Sequence, residues 1–77
     1  MRILLVEDHA HLQRQLARCL REAGYAVDAT GDGADALGRA LDVGYDALVL
    51  DVMLPGLDGW TVLRRLREKK GTPVLML

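Results

Sequence analysis

Three acidic side chains stand where apolar runs stop. Glu7 and Asp8 follow the run "ILLV" (3–6), and Asp51 follows "ALVL" (47–50) and precedes "VMLPGLDG", a turn-forming segment with one proline and two glycines. Continuous apolar runs without polar alternation are what strands buried on both faces of a parallel sheet require. Ligands of open α/β sheets bind beyond the carboxyl ends of the strands, so these acids occupy the positions where chemistry is expected. If the two strands are neighbours, the carboxylates share one rim, and two like charges about 4 Å apart repel by roughly 4 kcal/mol at an effective dielectric of 20. A hard divalent cation removes that repulsion. Carboxylates, a backbone carbonyl and waters suit Mg2+, which holds an octahedral oxygen shell. Singly, each acid has a plainer role: an exposed helix N-terminal pair for Glu7 and Asp8, a turn-starting residue for Asp51. Together they favour a site.

The elements that would position them alternate. A third continuous run, "PVLML" (73–77), reads as another buried strand, and "YAVDAT" (25–30) alternates as an edge strand does. Between the strands lie three sets of apolar residues at helical spacing: Leu12, Leu16, Cys19, Leu20 and Ala23; Ala36, Leu37, Ala40 and Leu41; Val62, Leu63 and Leu66. Gly24, Gly44 and Gly71 each follow one set, where a left-handed C-cap is wanted. The order β-α-β-α-β-α-β with short connections implies an open parallel sheet with right-handed crossovers.

Composition narrows the class. The chain has 77 residues, 51% hydrophobic and 27% charged, which is the composition of an ordinary globular domain, one at most. A chain of this size buries only about 60% of the surface its unfolded form exposes, so it is marginal. Ten basic against eleven acidic residues give no footprint for nucleic acid or anionic membrane. The basic run "RRLREKK" (64–70) falls at a helix end, where cations complement the dipole. The single cysteine, Cys19, reads as a buried small hydrophobe. Neither a signal peptide nor an apolar stretch of membrane-spanning length is visible, so the expected location is cytoplasmic, with no membrane partner.

The segments "ILLVEDH" (3–9), "VLDVMLPGLDGW" (49–60) and "TPVLML" (72–77) resemble, in order and spacing, the receiver domain of two-component response regulators of the winged-helix transcription-factor class. The resemblance implies a flavodoxin-like α/β fold with strand order 2-1-3-4, which makes the strands bearing the acids adjacent. It also implies that residues 1–77 are the N-terminal part of one receiver domain, β1-α1-β2-α2-β3-α3-β4, truncated relative to the complete five-stranded fold. By the same resemblance Asp51 is a phosphoacceptor that takes a phosphoryl group from a phosphohistidine on a sensor histidine kinase. Asp8 is a direct Mg2+ ligand, Glu7 its neighbour acting through water, and Met53 supplies a backbone carbonyl. The module is regulatory rather than an enzyme, assisting only its own phosphoryl transfer. The Thr or Ser and the Lys that sense the phosphate in relatives have no counterpart here, Lys69 and Lys70 being placed at the far end of the third helix. DNA contact would come only through an output domain outside these residues. An uncovered fourth strand implies self-association or a domain swap.

Rival readings exist. "GDGADA" (31–36) satisfies G-x-G-x-x-A with an acid, Asp51, twenty residues beyond Gly31, as a dinucleotide-binding domain would. Against it, Asp32 puts a carboxylate where pyrophosphate must approach and is better read as a helix N-cap. An aspartyl-phosphate hydrolase needs an acid two residues past its nucleophile, and position 53 is Met. A receiver-derived scaffold that takes no phosphate, self-associating or domain-swapped, is the non-signalling alternative. His9 and His11 beside the acids invite a transition-metal reading, but two positions apart on a helix they point in different directions.

Overall fold

The computed structural model describes all 77 residues. Seven elements follow one another: β1 (Arg2–Val6), α1 (Ala10–Glu22), β2 (Ala26–Thr30), α2 (Gly33–Asp42), β3 (Ala47–Leu50), α3 (Gly59–Arg67) and β4 (Val74–Met76). The strands form one parallel sheet in the order β2-β1-β3-β4. The expected order holds, with the alternating strand at one edge and β4 at the other.

Side-chain alternation divides β1 between two layers. Leu4 and Val6 join Leu48 and Leu50 of β3, Ala36 and Ala40 of α2, and Val62 and Leu66 of α3 in the larger core cluster. Leu5 faces the other way, with Val27 of β2 and Ala17 of α1. Two helices thus cover one face and a single helix the other. Burial on both sides is why β1 and β3 read as unbroken apolar runs.

One expectation is corrected. Cys19 is exposed, not buried. The inward stripe of α1 is centred on Ala17, flanked by Leu16 and Leu20, while Leu12 and Cys19 are exposed beside it.

The glycine punctuation is corrected as well. Gly24 has φ 99° and ends α1 in the left-handed region, but neither Gly44 nor Gly71 does. α2 ends instead with Val43 extended, and the Lys70 ammonium donates to the carbonyls of Ala40 and Val43 at 3.0 and 3.3 Å. The basic run therefore does complement a helix dipole, that of the neighbouring α2 as well as its own. It also places Lys70 at the amino-terminal side of the sheet, far from the acids, as expected.

Candidate metal centre

Register brings the acids together. Val6 pairs with Leu50 across β1 and β3, so the chain leaves both strands side by side. The Asp51 amide donates to the Val6 carbonyl at 3.0 Å, and the Glu7 amide to Thr30 of β2 at 3.0 Å. One carboxylate oxygen from each of Glu7, Asp8 and Asp51 lies within 4.8 Å of the others. Glu7 is buried, Asp51 half-buried and Asp8 exposed, an arrangement open on one side.

The electrostatics are unbalanced. Glu7 Oε2 is buried without a hydrogen-bond partner. Burial, then the Asp51 side chain facing it, then the charge of Asp8 push the Glu7 carboxyl above its ordinary value. No cationic side chain forms an ion pair with any of the three. An orphaned buried oxygen beside two further carboxylates is a donor set of hard oxygens, and it fits Mg2+.

The loop after β3 is closed on itself. The Gly59 amide donates to Val52 at 2.9 Å, and the Met53 amide to Asp51 Oδ1 at 3.3 Å. A Cβ on Gly59 would overlap the Asp51 carbonyl oxygen and stand 2.9 Å from Val52 Cα, so the start of α3 sits directly on the backbone bearing Asp51. Asp58 caps α3, accepting from the Thr61 amide at 2.9 Å and its hydroxyl at 3.2 Å. These bonds, the Thr61 amide first, hold the Asp58 carboxyl below the usual range. Met53, a residue 77% exposed, lines one open concavity with Asp8, Leu54, Pro55 and Asp58. Only its backbone is fixed near the acids.

Sequence reasoning missed several supports. Gln13 reaches from α1 to donate to the Glu7 carbonyl at 2.9 Å, and no spacing rule marks a polar residue for that task. Asp58 did carry a signal, an Asp immediately before an apolar helical period. The histidines stay outside: His9 is the N-cap of α1, accepting from the Leu12 amide at 3.3 Å, and His11 is exposed. Asp32 caps α2, accepting from the Asp35 amide at 2.9 Å, as expected. The glycines flanking it pack against protein backbone, which fills the space a pyrophosphate would need.

Known proteins share this arrangement of elements. Residues 3–77 match the response regulator receiver domain family. The chain is 49% identical over its whole length to the transcriptional regulatory protein HprR of Escherichia coli (strain K12), spanning 34% of that protein. It is 54% identical over 79 aligned positions to the transcriptional regulatory protein TcrA of Mycobacterium tuberculosis, spanning 31% of it. The chain thus spans about a third of the length of these curated relatives. Among solved structures, it superposes with TM-score 0.94 and 36% identity on the receiver domain of a sensor histidine kinase from Pseudomonas aeruginosa PAO1, described with a magnesium ion coordinated in its active-site cleft; the match covers 97% of this chain and 64% of that one. The receiver domain of the hybrid histidine kinase CckA gives TM-score 0.89 at 40% identity, covering 99% of this chain and 73% of that one. With the parallel sheet of order β2-β1-β3-β4 and the family match from residue 3 to residue 77, the chain belongs to the response regulator receiver domains of two-component systems.

Proposed function

We propose that Asp51 accepts a phosphoryl group from a phosphohistidine of a sensor histidine kinase, and that Glu7, Asp8, Asp51 and the Met53 backbone carbonyl hold the Mg2+ the transfer needs. The observation that carries this is the convergence of three carboxylates from two adjacent strands around a buried, unpartnered Glu7 oxygen. In the step, the phosphorus–nitrogen bond of the phosphohistidine breaks, a phosphorus–oxygen bond forms to an Asp51 oxygen, and the leaving histidine nitrogen keeps the electron pair of the broken bond and can then take up a proton. Bound Mg2+ supplies neutralisation of the phosphoryl oxygens. The protein's part is placement. Asp51 stands at the end of a buried strand, its carboxylate fixed by the Met53 amide and its rim open beside exposed Asp8. The role is regulatory, with no substrate turned over beyond the chain's own modification.

Residues 1–77 then constitute the β1-to-β4 portion of a receiver domain, and any DNA contact would belong to an output domain outside these residues; the curated relatives are named as transcriptional regulatory proteins. No helix is long and apolar enough to cross a membrane; the cytoplasm as the place of action rests on the family match alone. The β4 edge, with Leu75 63% and Leu77 52% exposed, favours self-association through that strand.

The test is direct. Incubation with Mg2+ and acetyl phosphate should add one phosphoryl group to the intact mass, and Asp51→Asn should add none. An unlabelled wild-type chain would favour the scaffold reading, and a labelled Asp51→Asn chain would move the site elsewhere.

A further inference from the structure

The segment Gly31-Asp32-Gly33, which a dinucleotide would not fit, touches both halves of the acidic site. At one end a Cβ on Gly31 would stand 3.2 Å from Asp8 Cα and 3.4 Å from the Glu7 carbonyl oxygen. At the other, a Cβ on Gly33 would overlap the Leu57 carbonyl oxygen, with the Leu57 carbonyl carbon at 2.9 Å and its Cβ at 3.1 Å. Neither glycine has a positive φ, so an L side chain suits the backbone angles and only the space forbids it. Between them Asp32 is pinned on three sides. Its amide donates to Thr30 Oγ1 at 3.3 Å, its carbonyl accepts from the Ala36 amide at 2.9 Å, and its carboxylate accepts from the Asp35 amide at 2.9 Å. The first turn of α2 therefore holds this strip of bare backbone rigidly in place.

We infer that Gly31 and Gly33 are positioning residues: side-chain-free backbone wedged between the β1–α1 loop and the β3–α3 loop sets the separation of Asp8 from the Asp51 segment, and with it the fit of the site for a small octahedral cation. This rests on the Mg2+ reading given above. The two loops leave different strands and are joined at the rim by few direct bonds. Beyond the Asp51 amide to Val6, the 52–58 loop is held by its own hydrogen bonds, by Asp58 at the start of α3 and by Leu54 and Leu57 packed against the core, and Leu57 also abuts this strip. Mg2+ demands oxygens at about 2.0–2.1 Å in near-ideal geometry, whereas Ca2+ accepts about 2.3–2.6 Å and irregular shells. A loop displaced by a few tenths of an ångström should therefore cost Mg2+ more than Ca2+. A residue that served stability alone would not change that ratio.

Calorimetric titration with MgCl2 and with CaCl2 tests this on wild type, Gly33→Ala, Gly31→Ala and, as a control, Gly38→Ala, whose Cβ would meet nothing within 4 Å. The expected result for Gly33→Ala is Mg2+ affinity weakened about tenfold or more, the scale of losing an outer-shell support, with Ca2+ affinity weakened less. Gly31→Ala, whose contact is tight rather than overlapping, should shift the same ratio by a smaller factor and serves should Gly33→Ala fail to fold. Gly38→Ala should match wild type for both ions. Unchanged affinities in the folded variants, or equal loss of both ions, would overturn the inference while leaving the Mg2+ reading intact. A wild-type chain that binds no Mg2+ would overturn that reading, and the inference with it.

Discussion

At the residue scale the central tension is Glu7, a carboxyl buried beside two others with one oxygen unpartnered. Glu7→Gln keeps the shape, removes one of three like charges and offers Asp51 an amide donor. Without metal the variant should be more stable by about 1 kcal/mol, the scale of one relieved unfavourable polar contact, while the rise in melting temperature that Mg2+ gives wild type should shrink. Thermal melts with and without MgCl2 read both effects, and a destabilised metal-free variant would contradict the account. A second residue-scale prediction concerns Asp28. The Tyr45 hydroxyl donates to it at 2.6 Å and Arg2 at 2.8 Å, and these bonds, Tyr45 first, hold its carboxyl below the ordinary value. A carboxyl whose folded value is lowered stabilises the fold above its unfolded value and loses that contribution as pH falls through the folded one. Tyr45→Phe should accordingly cost about 1.5–3 kcal/mol at neutral pH, the range for a bond to a charged group. The difference from wild type in urea midpoint should narrow below about pH 4. A gap independent of pH would mean that the ring's packing, not the bond, carries the effect.

At the scale of elements, glycines do opposite things. Gly38 lies mid-helix in α2 with open space around it, so Gly38→Ala should stabilise by about 0.5–1 kcal/mol. Gly59 sits against the backbone of Asp51 and Val52, so Gly59→Ala should lower the denaturation midpoint and disturb the site together. If both substitutions moved stability the same way, the close approach would be in doubt. Sequence showed where the elements are because burial on two faces writes itself as an unbroken apolar run in β1 and β3, and the acids after those runs could be seen as one rim once the strands were neighbours. It did not show which glycine is tight and which is free, because that depends on Leu57 approaching Gly33 from a distant loop. Lys70 capping α2 across a gap of 30 residues was hidden for the same reason. Cys19 was misplaced because helical spacing gives a stripe but not how much of the sheet the helix has to cover.

At the scale of the whole molecule, one face of the sheet carries two helices and the other only α1, and β4 is an open edge with Leu75 and Leu77 exposed. On the proposed pairing of that edge with a second copy, Leu75→Lys puts a charge there and should lower any concentration-dependent association in sedimentation velocity; a wild-type chain that stays monomeric throughout would remove the edge from consideration. The site is less dependent on that edge, since its acids come from β1 and β3 in the middle of the sheet. The claim that Asp51 is the phosphoacceptor is tested most directly by locating the modification. After treatment with acetyl phosphate and Mg2+, peptide mass spectrometry should find the phosphoryl group on the peptide containing Asp51, lost on exposure to hydroxylamine as an acyl phosphate is, and absent when EDTA replaces Mg2+. A phosphoryl group on another residue, or one that forms equally well in EDTA, would contradict it.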